Sequence, residues 1–257
     1  MASLSGKCAV VTGASSEKGI GSAIARRFAQ NGASVFLVSE GTEQQLRDVQ
    51  RECREADQAG RIEIGVFDLA SPGAAEAMIA EADCLFGRVD ILVNNAVFRT
   101  DYDFGDYTRD MFNKAVAVNL AAPFFASQAV VPIMRRQNGG RIIHIASQLA
   151  KVAFAKRALY GLTKAAIVHL TKSMAYELGR YGIVVNSISP GPILTEPILA
   201  RFNADPEEGK RRIDTYMPIG RFGEAIEIAD VALFLATTSA TYLHGEDICV
   251  DGGYTSH

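Results

Sequence analysis

The feature of this sequence that most constrains its fold is the alternation of short apolar runs, typical of β-strands, with longer segments of helical periodicity. The strand-like runs occupy residues 8–11, 35–38, 62–67, 91–93, 141–145, 184–185 and 247–250. The helical segments include residues 20–28, 42–59, 74–86 and 225–235. Because helices rather than tight turns connect the runs, we expect parallel strands with helices covering both faces of the sheet. The sequence therefore predicts a single α/β domain over residues 1–257, built on a doubly wound parallel sheet of about seven strands.

Composition places the chain among globular proteins and argues against several kinds of partner. Apolar residues make up 48% of the chain and charged residues 21%, so a sizeable core can form. The net charge is −3, with no basic cluster, which gives no electrostatic reason to expect nucleic acid or an anionic membrane as a partner. The four cysteines and four histidines show no ligand spacing, so we predict reduced thiols and no metal site.

Two segments bear on where the protein is located. The segment before the first strand is short and polar, so no signal peptide is predicted. The uncharged stretch 116–134 is long enough to span a bilayer, but it carries Asn119 and Ser127 and is interrupted by Pro123 and Pro132. A helix in a protein core or at a subunit interface is the better interpretation. We therefore expect a cytoplasmic protein without a membrane partner.

A glycine-rich segment joins the first strand to the first helix. Gly13 follows the strand, and Gly19 and Gly21 open the helix. Glycine at the first position permits a tight turn, at the second it lets the backbone approach a pyrophosphate, and at the third it lets helix and strand pack closely. The free N–H groups at the helix start would face the phosphates. In this position the cluster predicts a dinucleotide site in a Rossmann-type sheet, with a plain flexible turn as the alternative.

The choice between the two nicotinamide cofactors depends on opposing charges. Glu40 ends the second strand, where a carboxylate can accept hydrogen bonds from the adenosine ribose and would repel a 2′-phosphate. Lys18 in the glycine loop argues the other way, because it could pair with that phosphate, and Glu17 partly offsets it. The balance favours NAD(H) over NADP(H).

The candidate chemistry lies in a tyrosine and a lysine one helical turn apart. Tyr160 and Lys164 share one face of the predicted helix, so they can act together. A free phenol stays protonated at neutral pH, and a nearby ammonium favours its charged form, which allows it to act as acid or base. Ser147 follows the fifth strand and could hydrogen-bond a substrate oxygen. Asn119 would need a partner if buried, and could order a water in a proton path behind Lys164.

These motifs occur together in an order that closely resembles the short-chain dehydrogenase/reductase family, in its principal form of about 250 residues. The resemblance covers essentially the whole chain, and Ser147 precedes Tyr160 by the spacing that the family has. The matching positions are Thr12, Gly13, Gly19, Gly21, Asp68, Asn94, Asn95, Ala96, Asn119, Ser147, Tyr160, Lys164, Asn186, Pro190, Gly191, Thr195, Asp251, Gly252 and Gly253.

The resemblance implies an NAD(P)-dependent alcohol dehydrogenase or ketoreductase. A hydride would move between nicotinamide and a secondary alcohol or its ketone, with Tyr160 as general acid/base and Asn119, Ser147 and Lys164 completing the catalytic set. Lys164 would also bond the nicotinamide ribose. A homotetramer with four-helix contacts between long helices is implied as well. The positions expected to bind cofactor are Gly13, Ser15, Ser16, Lys18, Gly19, Ile20, Gly21, Glu40, Asp68, Leu69, Asn95, Ala96, Tyr160, Lys164, Pro190, Gly191, Ile193 and Thr195.

Within that set the resemblance gives some positions a specific contact. Asp68 would contact the adenine amino group, Asn95 would shape the cofactor pocket, and Ile193 and Thr195 would meet the nicotinamide carboxamide. Two departures from the family pattern occur. The glycine loop is two residues longer than usual, through Glu17 and Lys18, and Val97 stands where the family usually has glycine.

The substrate, a small-molecule alcohol or ketone, stays open between a sugar or polyol, a hydroxysteroid, an aryl alcohol and a β-ketoacyl thioester. Residues 190–221, rich in proline, glycine and charge, are expected to form an irregular, mobile loop over the site. The other expected pocket walls are Phe98, Arg99, Gln148, Ala150 and Phe154.

Basic residues near the expected pocket leave a further alternative open. Arg99, Lys151, Lys156 and Arg157 could meet an anionic group, although charge near a loop is usually only solvated. The competing functional class is a non-catalytic protein of the same fold that senses nicotinamide or acts as a scaffold.

Overall fold

The structure is a computed structural model that describes residues 3–55 and 60–256. Seven parallel strands form one sheet, in the spatial order β3-β2-β1-β4-β5-β6-β7. Their bounds are β1 Cys8–Thr12, β2 Ser34–Ser39, β3 Ile62–Val66, β4 Ile91–Asn94, β5 Gly140–Ile145, β6 Ile183–Pro190 and β7 Asp247–Val250. The doubly wound parallel sheet predicted from the sequence is thereby confirmed.

Nine α-helices are formed by the described residues, together with short 3₁₀ turns at Phe104–Asp106, Gln148–Ala150 and Gly179–Tyr181. Their bounds are α1 Ile20–Gln30, α2 Glu43–Arg54, α3 Ala74–Phe86, α4 Arg109–Val116, α5 Ala122–Arg136, α6 Ala158–Leu178, α7 Glu196–Ala204, α8 Pro206–Tyr216 and α9 Ala225–Thr237. The helix predicted over residues 42–59 thus ends at Arg54, and residues 56–59 lie outside the described part of the chain.

Alternate side chains of each strand enter two different hydrophobic cores. In β2, Val35 and Leu37 pack with α1, α2 and α9, whereas Phe36 and Val38 pack with α3 and α5 on the other face. Successive strand side chains point to opposite faces, so a strand that is apolar along its length must be buried on both sides. The near-continuous apolar runs of the central strands are therefore explained by helices on both faces.

The uncharged stretch 116–134 lies within one long helix that packs on the sheet. A π-helical turn, Ala117–Ala121, joins α4 to α5, so the helix runs without a break from Arg109 to Arg136. Its length and apolar composition match those of a membrane span, but Val130 and Met134 are fully buried in the core beneath it. The face that packs on the sheet agrees with the preferred interpretation, a helix in a protein core or at a subunit interface.

Residues 190–221 were expected to be irregular, and this prediction is wrong for most of the segment, because α7 and α8 occupy it. Two of the prolines that indicated a loop instead start helices. Pro197 and Pro206 stand in the first turns of α7 and α8, where the missing N–H has no intrahelical partner to lose. Asp205 then caps α8 by accepting a hydrogen bond from the Glu208 N–H (3.0 Å). The expected mobility of the segment and its role over a site stay predictions.

Candidate active site

A crevice opens at the carboxyl ends of the central strands. β1 pairs with β2 on one side and with β4 on the other, and the helices that follow β1 and β4 pack on opposite faces of the sheet. Ligands of open α/β sheets bind at such a switch point, because the connecting segments diverge there. A cavity of about 410 Å³ lies at this edge, lined by residues that follow β1, β2, β4, β5 and β6.

The glycine turn forms one wall of this cavity. Gly13 has a left-handed conformation (φ +66°), and a Cβ there would stand 2.9 Å from the Cα of Ala96. A Cβ at Gly21 would overlap the carbonyl oxygen of Gly13, so both positions need glycine for the strand and the helix to pack. Gly19 precedes the first turn of α1 without a side-chain cap, and it lines the cavity with Ile20. The uncapped helix start presents free N–H groups suited to an anion.

Asn95 ties the end of β4 to the glycine turn. Its side-chain amide donates to the carbonyl oxygens of Thr12 (2.8 Å) and Gly13 (3.1 Å). The Thr12 hydroxyl in turn accepts from the backbone N–H groups of Asn95 (2.9 Å) and Ala96 (3.0 Å). Asn95 and Ala96 both line the cavity. The sequence indicated Asn95 but not the structural role of the Thr12 hydroxyl. A polar residue at the end of an apolar strand was the feature that could have indicated this role.

The end of β2 contacts the glycine loop through serines. The Ser15 and Ser39 hydroxyls lie 2.8 Å apart, and both residues and Ser16 line the cavity. Ser39 was not among the predicted site residues. Glu40 and Lys18, which were expected to decide the cofactor, are both exposed and lie outside the cavity lining.

Asp68 and Leu69 lie beyond the cavity, after the outer strand β3. The Asp68 carboxylate accepts from the Ala70 N–H (2.9 Å) and the Ser71 hydroxyl (3.0 Å), while Leu69 packs in the core beneath α3. The adenine contact expected for Asp68 stays a prediction, and so does the cofactor contact expected for Leu69.

Tyr160 and Lys164 occupy consecutive turns of α6 and both line the cavity. The Lys164 Nζ lies 5.7 Å from the centre of the Tyr160 ring and donates to the Ile145 carbonyl oxygen at 2.7 Å. Only 3% of Lys164 is exposed. Burial, together with the positive charge of Arg99, lowers the pKa of the Lys164 ammonium to about 7. The helix therefore places a phenol beside an amine that can change its charge near neutral pH.

Ser147 lies where the sequence placed it, two residues after the end of β5, and it lines the same cavity. Its hydroxyl accepts from the Leu149 N–H (3.2 Å) and donates to the side-chain oxygen of Gln148 (3.1 Å). The residue is 5% exposed, so its hydroxyl is held in a largely desolvated position.

Asn119 lies behind the cavity wall, in the π-helical turn between α4 and α5. Its side-chain oxygen accepts from the Phe98 N–H (2.7 Å), and its amide donates to the Phe98 carbonyl oxygen (2.9 Å) and the Thr163 hydroxyl (3.2 Å). The hydrogen-bond partner that a buried Asn119 needs is thus supplied mainly by the backbone of Phe98, after β4. A single π turn inside a helix often marks a functional position, but the water and proton path expected at Asn119 stay predictions.

The opposite wall follows β6 and reaches the start of α7. Pro190, Gly191, Ile193 and Thr195 line the cavity as the sequence predicted. The Thr195 hydroxyl is buried and has no hydrogen-bond partner among the described residues. Ser16 donates to the Glu196 carboxylate (2.9 Å), so α7 touches the glycine loop, a contact that the sequence did not indicate.

A second, smaller cavity of about 100 Å³ shares Arg99, Ser147 and Tyr160 with the first. Gln148 and Phe154 line it as expected, whereas Phe98 and Val97 line the larger cavity and Ala150 lines neither.

Two of the four basic residues proposed to meet an anion are paired elsewhere. Lys151 contacts Asp247 (3.0 Å), and Lys156 contacts Asp103 (3.2 Å). Arg99 and Arg157 remain at the cavity.

Comparison with known proteins gives consistent matches over the whole chain. A family model described as enoyl-(acyl carrier protein) reductase matches residues 13–255. An uncharacterised oxidoreductase of Bacillus subtilis (strain 168) is 38% identical, covering 100% of this chain and 94% of the relative. The L-rhamnose 1-dehydrogenase (NAD(P)(+)) of Azotobacter vinelandii is 36% identical, covering 96% of each chain.

The fold is also similar to that of a solved 7α-hydroxysteroid dehydrogenase complexed with NADH and 7-oxo glycochenodeoxycholic acid. That structure superposes with a TM-score of 0.89 at 35% identity, over 98% of this chain and 95% of the other.

Proposed function

Because the chain belongs to the short-chain dehydrogenase/reductase family of oxidoreductases, we propose that it transfers a hydride between a nicotinamide cofactor and a secondary alcohol or its ketone. One observation carries this proposal: Tyr160, Lys164 and Ser147 line the same cavity as the glycine turn. A proton-transferring group and a dinucleotide-binding turn thus face a common space, which the reaction requires.

The residues around the cavity fit a dinucleotide. The glycine turn leaves no space for Cβ atoms at Gly13 and Gly21, and the uncapped start of α1 offers N–H groups to a pyrophosphate. The unpartnered Thr195 hydroxyl can hydrogen-bond the carboxamide of a nicotinamide. A bound nicotinamide would supply the carbon that accepts or gives the hydride.

The chain's own residues supply binding, orientation and proton transfer. The Tyr160 oxygen accepts the alcohol proton in oxidation and returns it in reduction. The Lys164 amine lies beside the phenol on the next turn of α6 and would also bond the nicotinamide ribose. The Ser147 hydroxyl turns from Gln148 to the substrate oxygen and orients it. Asn119 fixes the backbone at Phe98 and so positions the wall between α6 and the end of β4.

NAD(H) is the proposed cofactor, on the basis of Glu40 at the end of β2. An exposed carboxylate there repels the 2′-phosphate of NADP(H) and accepts hydrogen bonds from the ribose of NAD(H). Titration of the protein with NADH and with NADPH should give the tighter binding for NADH. Tighter binding of NADPH would mean that Lys18 outweighs Glu40.

The activity itself is tested with a panel of sugars and polyols, hydroxysteroids, aryl alcohols and β-hydroxyacyl thioesters, offered with NAD⁺ and with NADP⁺. We expect reduced nicotinamide to form with at least one of them. If the substrate is deuterated at the carbinol carbon, the deuterium should appear in the reduced cofactor. Cofactor binding without any turnover would favour the non-catalytic alternative instead. The cytoplasmic location and the homotetramer belong to the same proposal.

A further inference from the structure

The smaller cavity beside Tyr160 is unusually rich in positive charge. Its lining contains Arg99, Arg157 and Arg212, and no carboxylate among the described residues. Arginines gathered in a partly enclosed site repel one another unless anions neutralise them. The charge balance of this cavity therefore depends on which arginines have partners in the fold.

Arg157 is neutralised within the protein. Its guanidinium contacts the Asp101 carboxylate at 3.1 Å and extends towards the Thr100 carbonyl oxygen at 3.4 Å. Arg201 pairs with the same carboxylate, so Asp101 is shared by two arginines and cannot compensate a third. In the described part of the chain Arg99 and Arg212 make no ion pair.

Arg99 places uncompensated charge beside the proposed proton-transfer pair. It lowers the pKa of Lys164, second to the effect of burial. The pKa of Arg157 is lowered as well, first by burial and then by the like charges of Arg201 and Arg99, against the opposing effect of Asp101. A positive field thus covers the space in front of Tyr160 before any ligand enters.

Arg212 supplies a donor without an acceptor. Its guanidinium lies 5.3 Å from the centre of the Phe154 ring, which holds the side chain in place. The Nε of Arg212 is buried and has no hydrogen-bond partner among the described residues. The unpaired Nε indicates that the guanidinium is not fully satisfied within the fold, and because Arg212 lines the smaller cavity, its terminal N–H groups can donate to an oxyanion there.

The remaining wall is aromatic. Tyr216 meets Phe154 edge to face at 5.7 Å and stacks on Tyr254 at 6.0 Å, and all three rings line the cavity. Such a wall favours an apolar or planar part of a ligand over a fully hydroxylated one. The cavity thus joins an aromatic surface to an anion-binding group, next to the proposed acid/base.

We propose that the substrate is an anionic secondary alcohol or ketone, whose oxyanion binds Arg212 and Arg99 while its apolar part contacts Phe154 and Tyr216. The inference rests on the proposed function, because the smaller cavity is a substrate site only if Tyr160 transfers the proton. It assigns Arg212 as a specificity-determining residue. The oxyanion can belong to a carboxylate, a sulfonate or a phosphate ester, which share the acceptor chemistry that a guanidinium recognises.

The test is a calorimetric titration of the protein saturated with NADH, so that the glycine turn is already filled and cannot bind the probes. The probes are benzoate, benzenesulfonate and phenyl phosphate, each compared with neutral benzamide. At least one anion should bind about tenfold more tightly than benzamide, because a charge-assisted hydrogen bond is then formed to the Arg212 guanidinium. The anion that binds best identifies the class of oxyanion.

Three variants separate the proposed contact from general electrostatics. With Arg212→Met the affinities for the anion and for benzamide should differ by no more than about twofold. Arg99→Met, at an exposed position, should reduce the preference for the anion only partly. Arg211→Met removes the same charge from the neighbouring, more exposed position of α8 and should keep the advantage. NADH affinity, measured on the same samples, reports whether each variant is folded.

The proposal is overturned if no anion binds more tightly than benzamide, or if Arg212→Met retains the full advantage. These outcomes are distinct from failure of the proposed function, which would appear as absent binding of both NADH and NADPH, or as no turnover across the alcohol panel extended by anionic secondary alcohols. Anion selectivity of the NADH complex is read without turnover, so the two results do not depend on each other.

Discussion

Lys164 is almost fully buried, whereas most lysines lie at the protein surface. It lies at the base of the cavity with its Nζ on a backbone carbonyl, and burial with the charge of Arg99 lowers its pKa to about 7. The amine is therefore poised to be charged or neutral near neutral pH. A charged ligand bound in the cavity would therefore change the protonation of Lys164. Burial also couples this protonation to the stability of the fold.

The burial of Lys164 predicts how stability changes with pH in the absence of cofactor. Above pH 7 the unfolded chain still carries the proton, since its lysine pKa is near 10.4, while the folded chain has lost it. The unfolded state binds more protons, so the free energy of unfolding rises with pH. Between pH 7 and 8.5 it should rise by up to about 1 kcal/mol per pH unit more for the native protein than for Lys164→Met.

Urea unfolding at several pH values in this window measures the difference. In the folded state the thiols of Cys8 and Cys53 stay protonated in this window, because burial raises their pKa values to about 12. Their titration in the unfolded chain is common to both proteins and cancels in the difference. Parallel pH dependences for the native protein and Lys164→Met would contradict the account of this residue.

At this scale the sequence indicated side chains that line the cavity but not their supports. Tyr160 and Lys164 could be placed together because they lie one helical turn apart, and Ser147 because it follows a strand end; their catalytic roles stay predictions. The contacts of Asn119 with Phe98 and Thr163 could not, because they join segments far apart in the chain. The sequence also could not indicate that the Nε of Arg212 has no hydrogen-bond partner among the described residues, because this depends on how α8 packs.

At the scale of elements, prediction succeeded where periodicity was strong and failed where it was interrupted. The helix predicted over residues 74–86 coincides with α3, whose apolar positions repeat at helical spacing. In the segment that contains α7 and α8, the proline, glycine and charge content predicts a loop, and the structure has helices instead. Pro197 and Pro206 stand in the first turns of these helices, where proline is favoured. Whether a proline starts or breaks a helix depends on its position and not on composition.

The packing of α1 on β1 predicts a cost for filling the space at Gly21. Gly21→Ala would place a methyl group against the Gly13 carbonyl and the Asn95 amide, and overpacking of this kind costs roughly 1–3 kcal/mol. Gly105→Ala is the matched control, because its Cβ would meet no atom within 4 Å. Urea unfolding should show a lower midpoint for Gly21→Ala only. Equal midpoints for the two variants would mean that the glycine turn can accommodate a methyl group at Gly21.

At the scale of the whole molecule, apolar side chains are left exposed along the long helices. Phe112, Phe124 and Phe125 on α4 and α5 are 42–45% exposed, and Leu162 on α6 is 58% exposed. Exposed apolar residues on a helix can be covered by another subunit. The homotetramer that the resemblance implied stays a proposal, and these residues are its proposed contact.

Light scattering tests this assembly. The native protein should have four times the mass of one chain, and the double substitution Phe124→Glu with Phe125→Glu should lower the mass by placing charge in the contact. Phe104→Glu, at a residue that is 85% exposed outside these helices, should leave the mass unchanged. A native protein with the mass of one chain would refute the tetramer.

The central claim, proton transfer by Tyr160, is tested most directly by the turnover of Tyr160→Phe with an alcohol that the native protein oxidises. The account predicts that turnover falls at least about a thousandfold while NADH binding is kept, because only the hydroxyl is removed. Tyr176→Phe, on the same helix at a residue that is 94% exposed, should keep native turnover. Turnover of Tyr160→Phe within a few-fold of the native rate would contradict the account.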